Sequence, residues 1–263
     1  MAISSYSYFN SKATPQPVLS GRFNKFAADT YPKYPLGFKV ECSDGSVYRY
    51  AQFGADTNRG VLVSTDISET GIADTDNSIV ASASAVTTTD GTIGSRFIEI
   101  TAAGITAGEY AGGKFIVTDD AGEGYTYDIK GNTATDNPAS GNFRLELAQP
   151  LQVAVTTASD YSIAPCLYND VETATAATDN FVIGVSCANM TTATTAFGWV
   201  QTKGVCGILQ DAKVPTKGQV MVLSHLTNGA CGPLGGTSTT ATDYGLYPII
   251  GYCVDPGDAT GAS

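Results

Sequence analysis

Phe197-Gly198-Trp199-Val200-Gln201-Thr202-Lys203-Gly204-Val205-Cys206-Gly207-Ile208-Leu209 is followed by Lys217-Gly218-Gln219-Val220-Met221-Val222-Leu223 and by Tyr247-Pro248-Ile249-Ile250-Gly251-Tyr252-Cys253. Short β-forming runs alternate here with glycine, and no helical apolar period separates them. That pattern predicts an all-β fold, a small antiparallel barrel or sandwich. It holds turn and strand signals and no catalytic motif.

The same grammar extends toward the N-terminus. Gly37–Cys42 and Ser46–Ala51 flank Ser43-Asp44-Gly45, and Asp-Gly between alternating runs is a hairpin signal. Gly60–Ser64 reads as a further strand. A second β block follows residues 66–92, which are small and polar and read as a loop or linker. Its strands are Arg96–Ile100, Lys114–Thr118 and two alternating segments. Tyr125, Tyr127 and Ile129 oppose Thr126, Asp128 and Lys130, while Phe143, Leu145 and Leu147 oppose Arg144 and Glu146. Such alternation marks strands with one buried face. Leu151–Val155 and Tyr161–Ile163 close the block. Short helices are expected only near Thr106–Tyr110 and Asn189–Thr195.

These blocks predict four parts. Residues 1–36 form an extended N-terminal arm, interrupted by Pro15, Pro17, Pro32 and Pro35 and carrying Tyr6, Tyr8, Phe9, Phe23, Phe26, Tyr31 and Tyr34. Residues 37–66 and 181–254 form one discontinuous β-barrel body. Residues 67–180 are an inserted β domain with flanking linkers, and 255–263 are a flexible tail. The arm either wraps its own body or lies on a neighbour, because aromatics serve cores and interfaces alike. Trp199 alternates with Gln201 and Lys203, which places it on an outer face, under the arm or against a partner; the competing reading is a core anchor.

Composition narrows the function. Of 263 residues, 15% are charged, against about 25% in an average domain, and 29 are glycine. Low charge argues against long surface helices. The net charge of −11 disfavours nucleic acid and anionic membrane as partners. Met1–Phe9 lacks a basic region followed by an apolar core, so it does not read as a signal peptide, and no window reaches the length of a membrane span. Synthesis in a cytoplasm without translocation is the expectation. The cysteines at 42, 166, 187, 206, 231 and 253 include no Cys-x-x-Cys pair and are read as buried reduced thiols.

Little chemistry is encoded. His225, the one histidine, follows Ser224, and neighbouring strand side chains point to opposite faces, so the two make no dyad. Asp119, Asp120 and Glu123 crowd one turn, where calcium ligation competes with ordinary turn chemistry. Gly229–Gly236 lacks the Lys-Ser/Thr of a phosphate loop. Asn189-Met190-Thr191 is a formal sequon that matters only after secretion. The expectation is a protein without enzymatic activity, cofactor or metal.

Three segments carry a resemblance. Ser46-Val47-Tyr48-Arg49-Tyr50-Ala51 is the first. Ala107–Phe115 leading into Gly122-Glu123-Gly124-Tyr125-Thr126-Tyr127 is the second. Phe197–Gly204 together with Pro248-Ile249-Ile250-Gly251 is the third. In order and spacing they resemble virion structural proteins of tailed bacteriophages, of the capsid decoration (cement) type. All three are turn-and-strand patterns. The resemblance implies a β-rich, often trimeric protein that clamps capsid subunits from outside. Its partners would be the major capsid protein and further copies of itself. The interface residues expected on this reading are Tyr6, Tyr8, Phe9, Tyr31, Pro32, Tyr34, Pro35 and Trp199. Six cysteines and a long second block depart from a minimal cement fold. The rival readings are a tail or baseplate component and, from another class, a carbohydrate-binding β-sandwich that stacks sugars on exposed aromatics.

Overall fold

The computed structural model describes residues 23–65, 73–74, 90–137, 141–175, 181–194, 196–234 and 248–256. Among these are 16 strands and no helix. In chain order the first are β1 (Ala28–Asp29), β2 (Lys39–Glu41), β3 (Val47–Gln52) and β4 (Leu62–Thr65). Then come β5 (Ala73–Asp74), β6 (Phe97–Thr101), β7 (Lys114–Asp119), β8 (Thr126–Asn132), β9 (Asn142–Leu147) and β10 (Asp160–Ala164). The chain continues through β11 (Val171–Thr173), β12 (Val182–Ser186) and β13 (Phe197–Lys203). It ends with β14 (Val220–Leu223), β15 (Cys231–Pro233) and β16 (Ile249–Tyr252). Segments 107–112 and 192–194 are turns, not the short helices expected from sequence.

Three antiparallel sheets result. The first runs β11-β4-β12-β13-β3-β2, with β1 added to β13; the second runs β5-β10-β7-β8-β9-β6; the third is β15-β14-β16. None closes into a barrel, so the fold is an open, sandwich-like all-β arrangement. Strands of the first and last blocks do share the first sheet. Two boundaries differ from the sequence reading. Val171–Thr173 lies inside the stretch 67–180 yet pairs with β4, with Val171 opposite Thr65. The chain therefore returns beside the strand from which it left. The block 181–254 is also divided, β12 and β13 entering the first sheet and β14–β16 forming the third.

The Asp-Gly hairpin forms as read. Gly45 takes φ +81°, its N–H donates to Cys42 O at 2.9 Å, and Asp44 Oδ1 accepts the Ser46 N–H at 2.9 Å. Val40 then faces Tyr48 across the pair. In the second sheet the alternation is equally faithful. Tyr127, Ile129, Phe143, Leu145 and Leu147 enter one buried cluster with Phe115 and Tyr161. Tyr125 does not; it is exposed and stacks on Tyr127 at 6.1 Å, because the chain is still leaving the turn at that point. Arg144 also departs from a solvated face. It tilts over Phe97 and holds the buried Asp90 through Nε (2.7 Å) and Nη2 (2.8 Å).

The first sheet buries both faces. On one, Phe53, Val63, Val171 and Val200 form a core closed by Ala188 and Met190. Gly198 permits this closure, since a Cβ there would lie 1.9 Å from Met190 Cε. On the other face, Leu62 and Val185 pack with Met221, Leu223, Cys231 and Cys253, so the third sheet covers one half. The arm covers the other.

Candidate interface

The half of that face left open by the third sheet presents three large aromatics to the arm. Trp199 lies directly opposite Tyr50 in register, and Gln201 opposite Tyr48. Side chains two apart on a strand share a face, so Trp199, Tyr50 and Tyr48 form one apolar surface. Left in water it would be costly: each large side chain gains roughly 1.5–3 kcal/mol on burial.

Residues 23–38 supply the cover. The Phe23 ring meets Trp199 edge-on at 4.9 Å and Tyr48 at 5.1 Å. Tyr34 lies against Trp199 at 5.4 Å and Tyr50 at 5.2 Å, and stacks on Phe38 at 5.3 Å. Between these anchors Ala28 and Asp29 pair with Gly198 and Phe197 as a short added strand. A polar latch fixes the path. Tyr50 Oη donates to Asp29 Oδ2 at 3.0 Å and accepts the Lys33 N–H at 3.2 Å, and the Lys33 ammonium pairs with Asp29 Oδ1. Burial pushes the Tyr50 phenol up to about 12, with the neighbouring Asp29 carboxylate acting in the same direction.

This geometry separates the expected interface residues. Trp199 is 2% exposed and is a core anchor packed under the arm, so its expected place in an interface with a partner is corrected. Gln201 is buried as well, because both faces of β13 are covered; the polar residues beside Trp199 gave a misleading signal. Tyr34 is half-buried as part of the same packing. Tyr31 is 79% exposed, and Pro32 and Pro35 are exposed beside it. Phe26 adds a second open aromatic at 56%. The arm is thus two-sided, with Phe23 and Tyr34 inward and Phe26 and Tyr31 outward. Tyr6, Tyr8 and Phe9 lie outside the described residues. Asp29, Lys33 and Tyr50 were not legible as a latch, since their juxtaposition needs the added strand.

The candidate chemical groups sit in structural roles. Ser224 Oγ donates to Asp211 Oδ2 at 3.0 Å and accepts the Leu226 and Thr227 N–H groups, while Asp211 Oδ1 accepts the Lys213 N–H. Asp119 Oδ1 accepts the Asp120 N–H, and Asp120 adopts φ +58°, so these carboxylates shape the β7–β8 turn. Among the described residues no three His, Cys, Asp or Glu side chains converge as a metal site. All six cysteines are free thiols, and burial pushes Cys187 and Cys231 up to about 11. A polar cleft of about 360 Å³ lies between Gln52 and Thr65 and the 104–110 turn. The aromatic on its wall, Tyr110, is buried and offers no open ring face.

Comparison with family models, with curated proteins and with solved structures gives no match for this chain.

Proposed function

We propose that this chain is a virion structural protein that decorates and cements the outer surface of a tailed-phage capsid. The observation that carries the reading is the two-sided arm. Its inner aromatics are spent on Trp199 and Tyr50, yet Tyr31 and Phe26 remain open on a segment already held in place. A pre-ordered apolar surface binds with less ordering cost than a loose one. The resemblance carried by Ser46–Ala51, Ala107–Tyr127 and Phe197–Gly204 supports the capsid as target, and the −11 charge suits the side away from the genome. The partners on this reading are the major capsid protein and other copies of the chain, grouped around local three-fold positions of the lattice. Repetition by symmetry makes modest contacts sufficient.

The test is co-sedimentation of the purified protein with expanded capsids, with imaging of labelled particles. Wild type pellets with capsids and labels the shell. The double variant Phe26→Ala/Tyr31→Ala loses affinity by about tenfold or more and keeps its thermal midpoint, since both rings are exposed. Protein that stays in the supernatant at every concentration, label confined to the tail or baseplate, or binding to glycan instead of capsid overturns the reading.

A further inference from the structure

An edge strand offers unpaired backbone groups to any neighbouring chain, and folded proteins guard such edges with charge, proline or a cover. The sheet edges described here follow that rule with one exception. β2 carries Lys39 and Glu41, β11 carries Glu172 and β6 carries Glu99. β15 holds Pro233 and is bridged by Gln210 at Cys231. Among the described residues β16, Ile249-Ile250-Gly251-Tyr252, carries neither charge nor proline and pairs only with β14.

Its side chains are open as well. Ile249 is 67% and Tyr252 71% exposed, and Val254 follows at 56%. Leu234 N–H donates to Val220 O, and Val220 lies opposite Tyr252, so Leu234 and Tyr252 flank Val220 across the sheet. No strand of this sheet contains a charged residue. In a chain of net charge −11 that is decisive for the kind of partner. Two copies repel wherever carboxylates face each other, and like-charge juxtaposition is strongly unfavourable at an interface. The charge-free third sheet is where two acidic copies can meet without it.

We infer that β16 is a seam between two copies of this chain. The strands pair antiparallel about a two-fold axis, joining both third sheets into one continuous sheet, with Ile249 and Tyr252 of each copy covered by the other. An isologous contact of this kind uses the same patch twice and closes on itself. It stands independently of the capsid reading, because it concerns the free protein.

Sedimentation velocity on the full chain over a wide concentration range tests it. The expected result is a reversible dimer whose dissociation constant rises about tenfold or more in Ile249→Lys and in Tyr252→Lys, each of which sets like charges near the axis. Both positions are exposed, so the circular dichroism of the monomeric variants stays that of wild type, and their thermal midpoint equals that of wild type diluted to monomer. Hydrogen exchange supplies a second readout: protection of the Ile250 and Tyr252 amides increases with concentration. A monomer at all concentrations, an oligomer whose mass neither lysine changes, or β16 protection that is independent of concentration overturns the inference.

Discussion

Tyr50 donates its hydroxyl to Asp29 across 3.0 Å, with both side chains buried, and this bond joins the arm to the central strands of the first sheet. Lys33 closes the arrangement from the solvent side through its ammonium and its backbone N–H. The arm segment from Phe23 to Pro35 is consequently a structural layer of the molecule.

Removing that layer is expected to destabilise the body. A chain beginning at Pro35 loses Phe23, Tyr34 and the β1 pairing, and exposes Trp199 and Tyr50. Relative to a chain beginning at Phe23, it should lose about 3–6 kcal/mol by the burial values of its large aromatics. Tyr50→Phe alone should cost about 1–3 kcal/mol, the usual consequence of leaving a buried acceptor short of a donor. Urea denaturation of the two truncations and the variant measures both. Equal midpoints for the truncations would show that the arm is held elsewhere.

Trp199 is the sole tryptophan and provides an internal reporter. At 2% exposure it should emit at short wavelength, resist acrylamide quenching, and shift to the red in one step on unfolding. Trp199→Ala should cost about 3–5 kcal/mol, the range for removing a large core aromatic. A native spectrum already at the wavelength of free tryptophan contradicts the packing described.

Arg144 and Asp90 form a two-point ion pair, and Asp90 is 1% exposed. Breaking a buried ion pair by removing one partner is strongly destabilising, so Arg144→Met should cost about 3–5 kcal/mol. Asp90→Asn/Arg144→Met should recover part of that loss. A thermal-melt double-mutant cycle checks it, and additive effects contradict the pairing.

Alkaline pH should weaken the fold before neutral or mildly acidic pH does. Cys187 and Cys231 are raised from 9.0 to about 11, and Tyr50 from 10.0 to about 12, chiefly by burial. For a group whose folded value is raised, its stabilisation is complete below the unfolded value and is lost as pH climbs through the folded one. These groups therefore contribute no slope near neutrality. The unfolded chain releases their protons first from about pH 9 upward, with a loss of up to about 1.4 kcal/mol per pH unit for each group. Urea midpoints measured across that window should fall, and Cys187→Ala/Cys231→Ala should flatten the part below about pH 11. A wild-type midpoint unchanged to pH 11 contradicts the burial of these thiols.

Much of the strand content was legible because its signals are local. Asp44-Gly45 set the β2–β3 turn, and the alternation of Phe143, Leu145 and Leu147 fixed the buried face of β9. The exposure of Tyr31 and Pro32 agrees with their place in a proline-interrupted arm, whereas the burial of Trp199 was not legible, since a period-2 pattern does not report a second covered face.

By itself the sequence determined the all-β class, the hairpin at Asp44-Gly45 and the one-sided strands of the second sheet. Each follows from backbone preferences and side-chain periods within a few residues. The tertiary structure alone decided three things: that β11 returns beside β4, that residues after β13 build a separate third sheet, and that Phe23 and Tyr34 bury Trp199. These depend on contacts between segments far apart in the chain, Tyr34 and Trp199 most of all. The free energy of such a contact resides in the area two surfaces remove from water together, and neither segment's local pattern contains it.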